Sequence, residues 1–83
     1  MNLTRGTVVI SLTGRDKDRY LAVISVEDGY VNVANGELRK IETPKKKNIK
    51  HVSTTNTVFE EEILVSNRSL NKAIKERFGA ERR

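Results

Sequence analysis

Two periodicities divide the chain. Up to residue 41 the apolar residues fall in short β-branched or alternating runs, and after residue 66 they recur every four positions. Thr7-Val8-Val9-Ile10-Ser11-Leu12 is rich in β-branched residues and predicts a first strand. Thr13-Gly14-Arg15-Asp16-Lys17-Asp18 carries glycine and aspartate with no large apolar residue, which marks a loop. Residues 19–26 predict a second strand, with Tyr20, Ala22, Ile24 and Val26 on one face and Leu21 and Val23 on the other. Apolar residues on both faces suit a strand curling inside a small barrel better than one lying on a flat two-layer sheet. Asp28-Gly29 and Asn35-Gly36 separate this run from residues 30–34 and those from residues 37–41. Both dipeptides are hairpin signals, since a type I′ turn requires positive φ at its two central residues. Strands two, three and four are therefore expected to form an antiparallel meander.

Pro44 closes this region and opens the run Pro44-Lys45-Lys46-Lys47-Asn48. Ile49-Lys50-His51-Val52 reads as a short extended run and a candidate closing strand, and the polar residues 53–57 read as a linker. Residues 58–65 fit a strand or the edge of a helix. Leu70, Ile74 and Phe78, with Ala73 between them, share one helical face, and Arg68, Lys72 and Lys75 share the opposite one. With Ser66 or Asn67 as N-cap and Gly79 just past the end, the spacing predicts a helix over 67–78. The fold class that follows is mainly β: a small barrel over residues 1–54, then residues 55–83 as linker plus C-terminal helix of the same single domain.

Composition narrows the chemistry. The 83 residues include no Cys and one His, which excludes a disulfide scaffold, a thiolate zinc site, a cysteine nucleophile and a histidine-rich metal cage. No apolar run approaches the ~20 residues of a membrane span, and the first residues lack the apolar core of a signal peptide. A cytoplasmic protein without cofactor, metal, membrane partner or small-molecule substrate is expected. An enzyme is not: the single His lacks a nucleophile partner, there is no phosphate loop, and Asp16 and Asp18 are flanked by Arg15, Lys17 and Arg19.

Net charge is +5. That value alone serves solubility or a polyanionic partner equally well. Its distribution is more informative. Residues 1–36 are neutral, 37–54 carry +4, 55–66 carry −3 through Glu60, Glu61 and Glu62, and 67–83 carry +4. Solubility alone would more often intersperse the signs.

A more specific pattern runs through residues 4–30. An alternating apolar and polar run leads to a glycine at its eleventh position, Gly14 counted from Thr4, and then into a second apolar strand. This resembles a KOW motif, the strand–loop–strand unit of ribosomal proteins and NusG-type elongation factors. Gly6-Thr7-Val8-Val9, the loop Gly14-Arg15-Asp16-Lys17, the turn Asn35-Gly36 and the stretch Pro44-Lys45-Lys46-Lys47-Asn48-Ile49-Lys50-His51 follow in order. Together, over about residues 4–53, they are similar to the ribosomal protein family of the L-fourteen-e type, in particular its short bacterial KOW-domain relatives. Asp18 and Arg19 stand where such loops often carry a second glycine. The resemblance implies an SH3-like barrel that binds RNA, often ribosomal RNA, through the loop between the first two strands, here Thr13 to Arg19.

The residues support that chemistry independently. Gly14 lets a backbone approach a phosphate, Arg15 can fork onto a phosphate or a guanine edge, and Lys17 and Arg19 add charge that Asp16 and Asp18 oppose. Arg39, Lys40, Lys45, Lys46, Lys47 and Lys50 form the stronger electrostatic candidate. Five or six phosphate contacts there give a log–log salt slope of about −3.5 to −5.5. Asn48 can donate to phosphate or base. His51 suits an RNA contact or a half-buried strand-edge position. Tyr20 and Tyr30 flank one hairpin and suit core packing or, as the alternative, a stacking platform for bases, and Phe78 suits the core or a helix-docking anchor. The expected partner is ribosomal or other structured RNA. The alternative is an SH3-like module that docks on ribosomal or transcription proteins, using Glu60 to Glu62 and the face of Leu70, Ile74 and Phe78.

Overall fold

The computed structural model describes residues 3–79. Five strands, β1 (Thr7–Ser11), β2 (Tyr20–Glu27), β3 (Tyr30–Ala34), β4 (Lys45–Asn48) and β5 (Val52–Val58), precede one helix, α1 (Asn67–Phe78). All strand pairs are antiparallel, in the order β4-β3-β2-β1-β5. The two marginal strands are joined only by the 3-10 turn Ile49–His51. In a flat sheet the margins would lie about 19 Å apart. The four chain steps from Asn48 to Val52 reach at most about 14 Å even when fully extended. The sheet therefore curls until its edges approach, and the result is barrel-like.

Val9, Leu21, Val23, Val31, Val33 and Val52 pack inside the curl. A second cluster lies on the outer face, where Ala22, Ala34, Leu64, Leu70 and Ile74 are buried beneath α1 and ringed by Tyr20, Ile24, Ile41, Phe59, Ile63 and Phe78. The two apolar faces of β2 are thus explained by two cores. Leu21 and Val23 face the interior, while Tyr20, Ala22 and Ile24 face the helix. Tyr20 stacks on Phe78 with ring centroids 4.2 Å apart. Helix α1 has the predicted bounds. Ser66 Oγ accepts the Ser69 N–H at 3.1 Å, and Gly79, at φ +73°, donates its N–H to the Lys75 carbonyl at 2.7 Å.

Four local expectations are corrected. Residues 37–41 are an irregular loop, not a strand. Asn35 Oδ1 accepts the N–H groups of Glu37 (2.9 Å) and Arg39 (3.0 Å), and the Arg39 carbonyl accepts those of Asn35 (2.9 Å) and Gly36 (3.0 Å). The Ile41 N–H donates to Asn67 Oδ1 of α1 at 2.8 Å, so these backbone groups bond to side chains and to the loop itself in place of a ladder. Gly36, at φ +80°, lies against the first turn of α1, where a Cβ would collide with the Asn67 carbonyl oxygen. The fourth strand is instead the lysine segment. Residues 53–57, expected as a linker, belong to β5 and pair with β1. Their threonines suit a strand, and Thr55 Oγ1 donates to the Val8 carbonyl at 2.8 Å, where the β1–β5 register shifts. The barrel accordingly extends beyond residue 54. Ile49–His51 is a 3-10 turn, so the closing strand begins at Val52. The Asp28-Gly29 turn joins β2 to β3 as expected, but only Gly29 has positive φ (+78°), so it is not type I′. Residues 58–65 resolve into the end of β5 and the 3-10 turn Glu61–Ile63.

Candidate nucleic-acid interface

The loop between β1 and β2 is shaped by two residues in the left-handed region. Gly14 (φ +74°) opens the 3-10 turn Gly14–Asp16, and Asp18 (φ +70°) brings the chain back toward β2. A short carboxylate side chain tolerates this conformation better than most residues. Asp18 thus takes the backbone shape that a second glycine would offer. The loop is closed by Asp18 N–H to the Ser11 carbonyl (2.8 Å), Ser11 N–H to the Arg19 carbonyl (3.0 Å) and Arg19 N–H to the Asp16 carbonyl (2.9 Å).

Asp16 does not oppose the loop's positive charge in solution. It is only 2% exposed, and Arg39 grips its carboxylate through Nε (3.2 and 3.0 Å) and Nη2 (2.9 Å). This fork pins the loop to the long connection between β3 and β4. Arg39, an RNA-contact candidate in the sequence, is thus engaged here as a clasp on Asp16. The sequence marks both residues as charged but not their pairing across 23 positions.

Strand alternation divides the lysine run. Lys45 and Lys47 pair with Val33 and Val31, whose side chains fill the interior, whereas Lys46 and Asn48 pair with Asn32 and Tyr30 on the outer face. Lys47 is 9% exposed, and its Nζ donates to the Thr13 carbonyl at 3.3 Å. Gly14 lies beside it, and a methyl group there would sit 3.7 Å from that ammonium. Lys46 turns the other way. Its Nζ lies 3.4 Å from Glu27 Oε1 and 4.8 Å from the centre of the Tyr30 ring. Glu27 also accepts Asn32 Nδ2 at 2.6 Å, and that bond first, then Lys46, holds its carboxyl below the ordinary value. Tyr30 is 40% exposed and serves as the platform under Lys46. Of these two RNA-contact candidates, Lys47 is thus turned inward and Lys46 stays exposed on the outer face beside Glu27.

The turn after β4 belongs to the same end of the molecule as the loop. Asn48 Oδ1 accepts the Lys50 N–H at 2.9 Å and caps the turn. The His51 carbonyl accepts the Leu12 N–H at 2.9 Å, while the His51 side chain is exposed. Arg19 is half-buried and already engaged. Lys40 is exposed on the loop that carries Arg39. Around the Thr13–Lys47 contact, the cations left open to a partner are Arg15 and Lys17 on the loop, Lys45 on β4 and Lys50 on the turn. Thr13 and Gly14 are exposed between them.

The acidic run is also partly neutralised within the fold. Arg5 bonds Glu61 Oε2 through Nε at 2.7 Å and the Ile24 carbonyl through Nη1 at 2.9 Å. That hydrogen bond lowers the Glu61 pKa. No family model matches the chain, and no curated protein matches it.

Proposed function

We propose that this protein is a small RNA-binding factor of the KOW type, with an SH3-like barrel, acting in the cytoplasm on ribosomal or other structured RNA. The observation that carries this reading is the 3.3 Å contact between Lys47 and the Thr13 carbonyl, which brings a glycine loop and a lysine strand to one end of the barrel. Four exposed cations surround it, and the buried aspartate that would have opposed them is held by Arg39. Such a surface binds a sugar-phosphate backbone by charge, while the exposed Gly14 allows close approach. Arg15 can add a forked contact to a phosphate or a guanine edge. Among the described residues no helix is long and apolar enough to cross a membrane.

Filter binding against a structured ribosomal RNA fragment tests the reading. Affinity well below micromolar at low salt is expected, weakening steeply as salt rises. No binding tighter than about 10⁻⁴ M at physiological salt would set it aside.

A further inference from the structure

Helix α1 carries a second feature that the loop surface does not use. Between α1 and the loop around Gly36 runs a groove of about 590 Å³ bordered by Arg68, Lys72 and Lys75, with Glu76 as its carboxylate. Among the described residues, none of these three cations is in an ion pair. A cavity of about 380 Å³ adjoins it, with Asn71 and Lys75 common to both. Its lining is mostly apolar: the Tyr20 ring and Ile74 form the body, and Asn35, Glu37 and Asn71 supply polar atoms. The side-chain amide of Asn71 bonds to no described residue.

We propose that this composite site takes one unstacked nucleotide of single-stranded RNA, its base in the apolar cavity and its flanking phosphates in the groove of Arg68, Lys72 and Lys75. The volume lies within the range of small-ligand pockets. An aromatic wall suits a flat base, and an Asn amide and a carboxylate are the groups that read base edges. The cations stand directly outside, where the phosphates of an extruded nucleotide would emerge. An acidic peptide fits less well, because Glu37 lines the mostly apolar cavity, where a neutral base can sit and a peptide carboxylate would be repelled. The inference rests on the RNA reading above but uses different residues.

The full chain, labelled with ¹⁵N and ¹³C, is titrated with a mixed-sequence octaribonucleotide, with an octamer made abasic, and with a glutamate-rich peptide. The Ile74 methyl and Asn71 amide resonances are expected to shift with the octamer and not with the other two. Asn71→Ala is expected to weaken the octamer about tenfold, the effect of one lost base-edge contact. Equal shifts with the abasic octamer or the peptide would overturn the proposal. So would silence at Ile74 and Asn71 while Gly14 and Lys45 respond, an outcome that leaves the loop reading intact. Shifts at Ile74 and Asn71 that persist in an Arg15→Ala, Lys45→Ala variant, with none at Gly14 in the parent, would uphold the pocket and remove the loop reading.

Discussion

Arg39 and Lys45 look alike in the sequence, as basic residues of one block, and differ in what they do. Arg39 holds a carboxylate that water scarcely reaches, whereas Lys45 is open to solvent. Removing one partner of a buried charged pair is costly because the other is stranded. Here the guanidinium side chain remains 28% exposed, which moderates the effect. Arg39→Ala is expected to cost about 1–3 kcal/mol of folding stability by denaturant titration, and Lys45→Ala no more than about 0.5 kcal/mol. Equal, negligible effects would mean that the clasp has no structural role. Asp18 offers a test of the opposite sign. Its φ of +70° strains an L-residue, so Asp18→Gly is expected to raise stability by up to about 1 kcal/mol. A loss of stability would show that the aspartate side chain holds the loop by some other means.

At the scale of elements, the glycines separate conformation from contact. Gly29 and Gly36 share nearly the same φ, +78° and +80°. Nothing lies within 4 Å of a Cβ at Gly29, whereas at Gly36 it would strike the backbone of α1. Gly29→Ala is expected to cost about 1 kcal/mol from backbone strain alone. Gly36→Ala should cost clearly more and should loosen the helix, read as faster amide exchange at Leu70 and Ile74. Leu70 is fully buried on the inner face of α1, so Leu70→Ala should cost about 2–5 kcal/mol. The strands and helix that local pattern specifies were legible in the sequence: β1, β2, β3 and α1 with its caps. What the sequence concealed depends on tertiary partners. Residues 37–41 look like a strand until Asn35 takes the Glu37 and Arg39 N–H groups, Asn67 takes that of Ile41, and Gly36 seats the helix. The polar run at 53–57 looks like a linker because no alternation marks a strand whose threonines bond across a bulge. In β4, the alternation that buries Lys47 and sends Lys46 outward cannot be read from an unbroken lysine run.

For the molecule as a whole, charge links folding to pH. Glu27, Glu42 and Glu61 all lie below their ordinary pKa of 4.5, held there first by hydrogen bonds from Asn32, Asn67 and Arg5 respectively. A carboxyl whose pKa is lower in the folded state binds protons more readily when unfolded. Its stabilising contribution is complete above the unfolded value and disappears as pH falls through the folded one. Thermal stability should therefore be level from neutrality down to about pH 5.5 and fall below about pH 4.5. Arg5→Met should make that acid limb shallower. An unchanged limb would show that the Arg5–Glu61 pair does not contribute.

On the proposed RNA reading, the exposed cations set the salt dependence of binding. With Arg39 bonded to Asp16, Lys47 turned inward and Lys46 on the outer face, the four exposed cations around the Thr13–Lys47 contact, Arg15, Lys17, Lys45 and Lys50, give a slope of log affinity against log salt of about −2.8 to −3.6 in place of the steeper value the sequence suggests. The most direct test compares two adjacent lysines on one structured RNA over a range of salt. Lys45→Ala should weaken binding and reduce the slope by about 0.7–0.9, the loss of one phosphate contact. Lys46→Ala, on the outer face with Glu27 and Tyr30, should leave the slope unchanged. Equal reductions from both, or none from Lys45→Ala, would contradict a single RNA-binding surface built from the Gly14 loop and the inner side of β4.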